Sequence, residues 1–513
     1  MCSNTELASP LIKMYRVGDT NKKWLTMKRV LLLMFLLVAT VGTQAQNDDF
    51  FKRTGFDEFR KSIFDDYKDF RTKMLKDYTD FLRKAWSEFY GIAPVDVPDE
   101  EPVPPVVKPD GEEIVENRPV DVVEVVAPKP VEPQPEPVVR IDEVPQVRES
   151  YVDFTFFGTA ARVRFDIADK VKFGGTSENA VADAFEAMAT KSHDNMILDC
   201  LALRKELKLS DWAYLQMINE LAKVVYSDNA NGVALLTAYL FMQSGYKVRM
   251  GSSNGRLYML FASENLIYER TAYNVGGCRY YGIEQLPAQM NICEAAFEKE
   301  KAMSLVVAGG QRFAYSASQA RRISSKTYPA VSVEVAVNRN LLEFYDTYPT
   351  SMVGDDMYSR WALYANTPID KPVRDGLYPQ LRAALEGLSQ TEAVNRILNF
   401  VQTGFEYEYD NEVWGYDRVF FAEESLFYPY CDCEDRSVLF TRLVRDLIGI
   451  ETVLVIVPGH MLAAVCMDEK VDGAYMELGG RKYVLCEPTC LNGAPVGWAD
   501  IPDDVKMQVV MLE

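Results

Sequence analysis

The sequence predicts an α+β protein in which one arrangement, a helix packed on an antiparallel sheet, occurs twice in tandem. An amphipathic helical segment and a proline-rich linker precede the two copies. A helix-patterned run from Val438 to Ile448 is followed by short apolar and β-branched runs up to residue 489, and residues 229–271 repeat that order. Residues 94–145 hold about half of the chain's 25 prolines. With 513 residues, the chain is long enough for two or three domains.

Changes in composition set the predicted domain boundaries. A hydrophobic content of 48% is sufficient to fill sizeable cores in such domains. In chain order we expect an upstream extension and signal peptide (1–45), an amphipathic helical segment (46–92), a Pro/Val/Glu-rich disordered linker (93–148), a first module (149–300), a β-rich intervening region (301–375) and a second module (376–513).

The amino-terminal region has the composition of a secretion signal. Met27 to Arg29 form a basic start, Val30 to Val38 form an apolar run, and small residues end at Ala45. This order predicts a signal peptide within residues 27–45, cleaved after Ala45, and export to the periplasm or the extracellular space. A membrane anchor is the alternative. The apolar run is shorter than the ~20 residues of a spanning helix, so we expect no transmembrane helix in the mature chain.

Residues 50–89 are charged and aromatic, and their apolar residues are mostly three or four positions apart. This period predicts one long amphipathic helix, or two helices with a break. The apolar stripe requires a cover, which self-association as a coiled coil, packing on the downstream domains or a membrane surface would provide. The mixed charge of the other face favours the first two, because surface-seeking helices are usually rich in lysine and arginine.

In the linker, prolines are spaced among valine and glutamate, as in residues 103–105 and 133–137. Proline has no backbone N–H to give to a ladder, so we expect an extended, disordered spacer without helices or strands. The valines suggest a β region as the alternative, which the proline density disfavours.

The overall charge and the cysteines exclude some classes of protein. A formal net charge of −20 and a pI near 4.8 argue against nucleic acid as a partner and disfavour docking on anionic lipid. Eight cysteines remain after loss of the signal, and they are too widely spaced along the sequence to indicate a small disulfide-rich protein. Cys466 and Cys486 lie on strands that we predict to be neighbours, so they could pair or be two buried thiols.

The second module contains the residues that point to chemistry. Cys433 directly precedes the helix-patterned run, where unpaired backbone N–H groups and the helix dipole favour a thiolate. His460 opens one apolar run and Glu487 closes a later one. A thiol, an imidazole and a carboxylate that orients the imidazole are the parts of a cysteine-dependent acyl-transfer site.

These motifs resemble those of a known superfamily. Cys433-x-Asp435 at a helix start, Gly459-His460 at a strand start and Glu487-Pro488-Thr489 at the end of the next strand are similar to the core motifs of the transglutaminase-like superfamily. The fold of that superfamily is related to papain-type cysteine proteases, and the resemblance covers about residues 392–489. It implies Cys433 as nucleophile, His460 as general base and acid, and Glu487 in the orienting position, where the family usually has aspartate. Where the family often has glycine, this chain has Cys431.

Two neighbours of Cys433 have alternative interpretations. Cys431 is a competing nucleophile, but only Cys433 has the right spacing to Asp435. We interpret Asp435 as a helix-start or loop-tying residue. A metal site made of both cysteines and the nearby carboxylates lacks further histidine or paired-cysteine ligands, so we expect no metal and no organic cofactor.

Residues 229–271 predict a degenerate first copy of the same arrangement. An offset of 204 places Asn229 on Cys433 and Arg256 on His460, and a shorter hairpin would place Glu269-Arg270-Thr271 on Glu487-Pro488-Thr489. Asparagine and arginine cannot act as nucleophile and base, so this copy would serve packing or binding. Chance similarity between two helix–strand–strand segments is the alternative.

Together these observations predict an exported cysteine enzyme that transfers acyl groups at a carboxamide or peptide bond of a protein or peptide substrate. We favour hydrolysis, because water is far more available to an exported enzyme than a docked amine. The aromatic loop from Trp414 to Tyr430 is expected to line the cleft, with Trp414, Tyr416 or Tyr430 near the oxyanion. The alternative is a non-catalytic cell-envelope binding or scaffold protein, with self-association through residues 50–89.

Overall fold

A computed structural model of the chain divides it into two compact units, Met1–Thr72 and Lys73–Glu513. The predictions for the signal peptide and for residues 46–70 lie outside the described residues. The described residues are 71–98, 103–112, 114, 117–125, 136–137, 141–143, 149–172, 174–189, 193–227, 229–307, 309–354, 356–501 and 505–513.

The second unit is a mixed α+β structure, as predicted. Two short 3₁₀ turns, Ile167–Asp169 and Met357–Ser359, accompany the α-helices. The described helices are α1 (residues 71–82), α2 (Glu178–Ala189), α3 (His193–Leu207), α4 (Asp211–Tyr226), α5 (Ala230–Gln243), α6 (Arg339–Asp346), α7 (Arg360–Asn366), α8 (Lys371–Leu385), α9 (Gln390–Gly404), α10 (Asp410–Val413), α11 (Ala422–Phe427) and α12 (Cys433–Leu447).

The strands form two large sheets and three two-stranded pairs. They are β1 (Ser87–Tyr90), β2 (Arg118–Pro119), β3 (Val122–Val125), β4 (Tyr151–Phe156), β5 (Thr159–Arg164), β6 (Val248–Ser253), β7 (Arg256–Ala262), β8 (Leu266–Ile267), β9 (Tyr273–Val275), β10 (Cys278–Gly282), β11 (Gln289–Ile292), β12 (Arg321–Ser324), β13 (Ser332–Val335), β14 (Ser351–Met352), β15 (Thr452–Val457), β16 (His460–Cys466), β17 (Ala474–Leu478), β18 (Arg481–Cys486) and β19 (Met507–Met511).

The two large sheets have the same central strand order. The first runs β1-β11-β6-β7-β10-β9 and the second runs β2-β17-β18-β16-β15-β19-β3. Without β1 in the first sheet and without β2 and β3 in the second, each consists of five antiparallel strands. In both, a hairpin follows a helix: α5 packs on β6 and β7, and α12 packs on β15 and β16.

The hydrogen-bond registers of the two sheets also agree. In the first hairpin Val248 is opposite Phe261 and Ser253 is opposite Arg256, and in the second Thr452 is opposite Val465 and Val457 is opposite His460. Each residue of one hairpin therefore corresponds to the residue 204 positions later in the other. The same helix–hairpin arrangement thus occurs twice in the structure.

The amphipathic segment ends earlier than the sequence predicts. Residues 71–82 are helical, but the chain then turns, and Ser87–Tyr90 is a strand paired antiparallel to Gln289–Ile292. The helix packs on the first module, where the Tyr78 ring stacks on Phe297 with centroids 4.5 Å apart. A single helix through residue 89 is therefore wrong, because the sheet edge at β11 takes up the last residues as an extra strand.

Part of the proline-rich linker is ordered, contrary to the prediction of a disordered spacer. Arg118–Pro119 and Val122–Val125 are strands that pair in parallel with the two edges of the second sheet, at β17 and β19. Proline is tolerated there because an edge strand uses only one side of its backbone. Valines rather than prolines fill most of β3, so the β alternative is the correct one for these residues.

The intervening region is less β-rich than predicted. Residues 321–324 and 332–335 form the β12–β13 hairpin, but Arg339–Asp346, which we expected to be extended, is a helix. Asn338 caps it by accepting a hydrogen bond from the N–H of Asn340. Its apolar side chains, among them Leu341 and Phe344, then lie on one buried face.

Two further findings concern the helices and the cysteines. Within the described residues, no helix combines the length and the apolar character needed to cross a membrane. The eight described cysteines are all free thiols. Cys466 lies opposite Tyr483, and Cys486 lies opposite Ala463. The two cysteines are therefore not opposite each other on these neighbouring strands.

Candidate active site

Cys433 is the first residue of α12, and the side chains around it fix that helix end against β16. The hydroxyl of Ser437, one turn further on, donates a hydrogen bond to the carbonyl of Met461 at 3.2 Å. Met461 follows His460 directly. The helix start with its cysteine therefore lies beside the strand start with its histidine, which is the arrangement that the sequence predicts.

Glu487 contacts the imidazole of His460. The strands that lead to them, β16 and β18, are antiparallel neighbours, and His460 Nε2 lies 3.2 Å and 3.1 Å from the two carboxylate oxygens of Glu487. The hydroxyl of Thr489 donates to Glu487 Oε1 at 2.5 Å, and the N–H of Thr489 donates to the same oxygen at 3.2 Å. The glutamate side chain is therefore long enough for the orienting position and is itself held in place.

The other ring nitrogen of His460 is available for chemistry. Nδ1 is buried and has no hydrogen-bond partner among the described residues. Burial lowers the pKa of His460, but the Glu487 carboxylate outweighs it, so the net pKa lies above the ordinary 6.5. One nitrogen is thus oriented by a carboxylate and the other is left free, as a general base requires.

The Cys433 thiol differs from the expected thiolate. Cys433 is only 9% exposed, and its Sγ donates a hydrogen bond to Glu434 Oε2 at 2.9 Å. Burial raises the pKa of the Cys433 thiol well above its usual value, and the Glu434 and Asp432 carboxylates add to that rise. A hydrogen bond with the backbone of Met461 acts in the opposite direction. The helix start, which favours a thiolate, does not offset the rise in the thiol pKa that burial and the two adjacent carboxylates cause.

Three carboxylates meet beside the thiol. One carboxylate oxygen from each of Asp410, Asp432 and Glu434 lies within 4.8 Å of the other two. Burial and the proximity of Glu434 raise the pKa of Asp410 to about 8. Sequence reasoning missed this cluster, because Asp410 reaches it from a different helix and no short-range spacing connects it to the others.

Asp435 and Cys431 have the roles that their positions suggest. Asp435 is fully buried, and its Oδ1 accepts the N–H of Phe420 at 2.8 Å, so it ties the preceding loop to α12. Cys431 is buried, and burial raises the pKa of its thiol to about 11. The guanidinium of Arg436, which lies close to it, donates to the carbonyls of Gln402 and Phe405.

Two of the three aromatic side chains that we predicted near the oxyanion have other surroundings. Trp414 packs against Phe420 and Tyr428, and Tyr416 is 55% exposed. Burial raises the pKa of Tyr407, which precedes this loop, and the charges of Cys433 and Asp432 raise it further. Tyr407 lies between α9 and α10, where the structure has no regular element.

A segment of the linker crosses the loops that carry His460 and Glu487. The N–H of Val103 donates to the carbonyl of Gly459 at 3.0 Å, and the N–H of Leu491 donates to the carbonyl of Val106 at 3.0 Å. Lys108 and Asn492 exchange two hydrogen bonds, at 2.9 Å and 2.7 Å. We call residues 103–108 the strap. It lies next to the site and connects its two loops.

The first module has other residues at the same positions. Asn229 caps α5 by accepting the N–H of Gly232, and Arg256 begins β7. Arg256 Nη2 lies 2.6 Å from Glu284 Oε2, and both side chains are about half exposed. The corresponding residues of the second module, Cys433, His460 and Glu487, are all at least nine-tenths buried.

The counterpart of Glu487 is Glu284 and not Glu269. Tyr280 is opposite Ala262 just as Tyr483 is opposite Cys466, and the turn glycines 276–277 match 479–480. This register gives an offset of 203, which places Glu487 on Glu284. The prediction failed because the first copy has one residue more before this hairpin, where we assumed a shorter hairpin.

Comparisons with protein-family models, curated proteins and solved structures found no match for the chain.

Proposed function

We propose that the second module is a transglutaminase-like cysteine enzyme that transfers an acyl group from a carboxamide or peptide bond through Cys433, His460 and Glu487. The observation that carries this proposal is the imidazole of His460. One ring nitrogen contacts Glu487 at 3.1 Å, and the other is buried without a partner beside the strand residue that hydrogen-bonds the thiol.

The proposed reaction begins with the neutral thiol. As Cys433 Sγ attacks the carbonyl carbon, its proton passes to His460 Nδ1, and the carbonyl oxygen becomes an oxyanion. Backbone N–H groups at the start of α12 are positioned to stabilise that charge. His460 then gives the proton to the departing amine or ammonia, and a thioester on Cys433 remains.

Water completes the cycle in the proposed hydrolysis. His460 removes a proton from water as the oxygen attacks the thioester carbonyl, and the proton returns to sulfur when the acid leaves. Glu487 keeps the imidazole in the required orientation and stabilises its cationic form. An amine in place of water would give transamidation instead.

The proposal includes a degenerate first module and export of the protein. An arginine cannot replace the histidine base and Asn229 is not a nucleophile, so the first module would serve binding or packing. The sequence of residues 27–45 supports export, which would place protein or peptide substrates in the cell envelope or its surroundings.

A non-catalytic binding protein is the second candidate, and the state of the thiol favours it. The raised pKa of Cys433 and its burial both oppose the formation of a nucleophile at neutral pH. In that case the two modules would be binding platforms.

Incubation with a peptide mixture tests the choice. Mass spectrometry should find cleaved or deamidated peptides with the wild-type protein and none with Cys433→Ala. Cys431→Ala is the matched control, since it removes the neighbouring thiol and should leave the products in place. Absence of products with the wild type, or equal amounts with Cys433→Ala, would favour the binding platform.

A further inference from the structure

The three carboxylates beside Cys433 form a compact group of oxygen atoms. One oxygen from each of Asp410, Asp432 and Glu434 lies within 4.8 Å of the others. Two oxygens on opposite sides of an ion bound at about 2.4 Å would be separated by such a distance. The group therefore has the size of the first coordination sphere of a hard cation.

Among the described residues, no cationic side chain forms an ion pair with any of these three carboxylates. Two arginines of this region have other partners. The guanidinium of Arg418 pairs with Glu424 and Asp346, and that of Arg436 donates hydrogen bonds to backbone carbonyls. Arg418 gives Asp410 only its backbone N–H. Buried carboxylates without a counter-charge are costly, so they require either protons or a cation.

Unpaired oxygens in the same place point to a missing ligand. Asp432 is only 8% exposed, and its Oδ1 accepts no hydrogen bond from any described residue. Asp435, in the first turn of the helix that Asp432 precedes, is fully buried, and its Oδ2 likewise has no partner among the described residues. Buried polar atoms in folded proteins are nearly always paired, so two such oxygens at one place indicate that something binds there.

We propose that Asp410, Asp432 and Glu434 bind one hard divalent cation, with Ca²⁺ as the expected ion. The donors are all carboxylate oxygens, a set that suits Ca²⁺, Mg²⁺ or Mn²⁺ rather than Zn²⁺. Mg²⁺ usually keeps several waters and takes one or two carboxylates, whereas Ca²⁺ accepts irregular sets of protein oxygens. Three converging, largely buried carboxylates therefore favour Ca²⁺.

Calorimetric titration of the chelator-treated full-length protein with CaCl₂ tests the site, without substrate and therefore independently of acyl transfer. We expect one Ca²⁺ per chain and a higher Tm in its presence, because a ligand that binds only the folded state stabilises it. Asp410→Asn with Asp432→Asn should weaken binding at least about tenfold. Glu408→Gln with Glu412→Gln, which removes the same charge from exposed positions nearby, should leave the affinity unchanged.

Each contrary result overturns the proposal. A wild-type protein without Ca²⁺-dependent heat or Tm shift has no such site, whatever the variants do. Equal affinity in the two double variants would place the ion elsewhere. A rise in Tm of the Asp410/Asp432 variant together with no Ca²⁺ binding by the wild type would mean that the carboxylates share protons. If that variant does not fold, Asp410→Asn alone, at the less buried position, replaces it.

Discussion

The two modules have the same helix–hairpin arrangement and differ in two of the three side chains at the compared positions. Both sheets have the same strand order and register, so the compared positions are equivalent in the backbone. The first module has a half-exposed ion pair at a place where the second has a buried imidazole–carboxylate pair. The paired positions are Asn229 and Cys433, Arg256 and His460, and Glu284 and Glu487.

This difference separates what the fold requires from what the chemistry requires. The acidic residue is present in both modules, so a carboxylate at the end of this strand is compatible with a structural role alone. At the compared positions, a titratable base and a thiol occur only in the second module. Reactivity is therefore expected from the combination of Cys433 and His460, and the carboxylate by itself is not diagnostic.

Converting the second site into the first should have the largest effect. Cys433→Asn with His460→Arg removes nucleophile and base, so we expect acyl transfer to fall by at least about 10³-fold. Rates of peptide hydrolysis measure it. Asn229→Ala with Arg256→Ala is the matched control and should leave the rate unchanged; a loss of rate in this control would place chemistry in the first module.

Removing the charge of Glu487 should have the next largest effect. Glu487→Gln keeps the size of the side chain but no longer stabilises the imidazolium, so we expect a loss of about 10²–10⁴-fold in kcat. Glu284→Gln is the corresponding change in the first module and should have no effect on kcat. Similar rates for Glu487→Gln and the wild type would assign Glu487 a structural role only.

The same substitution should be visible in the titration of His460. The chain has only two histidines, so their imidazole NMR signals can be followed against pH. We expect a pKa above 6.5 for His460 and a lower one in Glu487→Gln, because the carboxylate raises it. Since the folded-state pKa is raised, this contribution to stability is present below pH 6.5 and is lost as the pH rises through the folded value. An unchanged pKa in Glu487→Gln would contradict the pairing.

Weakening the strap should have a smaller effect. Asn492→Ala removes both hydrogen bonds to Lys108, worth roughly 1 kcal/mol net, and should expose Cys433 more often. We expect alkylation of Cys433 by iodoacetamide to be about fivefold faster. Asn291→Ala, at an exposed position of β11 in the first sheet, is the control, and an equal rate in both variants would mean that the strap does not limit access.

The smallest effect is expected for the ion pair of the first module. Arg256 and Glu284 are about half exposed, so their pairing should contribute less than about 1 kcal/mol to stability. Urea unfolding of Glu284→Gln measures it. A loss of several kcal/mol would show that the first module depends on this pair for its fold.

Local patterns in the sequence were sufficient for the helix of Cys433, the strand of His460 and the repeated order of elements. Local patterns did not identify Glu284 as the counterpart of Glu487 in the first module. One additional residue in the first module changes the offset, and only the strand register reveals it. The carboxylate cluster was missed for a related reason. Asp410 and Asp432 are brought together by tertiary packing, and the effect of burial on the thiol depends on that packing.

The most direct test of the central claim is to trap the acyl-enzyme. Incubation with p-nitrophenyl acetate, followed by proteolysis and mass spectrometry, locates the acetyl group and measures its rate of formation. We predict a thioester on Cys433 that forms much more slowly in His460→Ala and at an unchanged rate in Arg256→Ala. Acetylation confined to other residues, or a rate at Cys433 that does not depend on His460, would contradict the account.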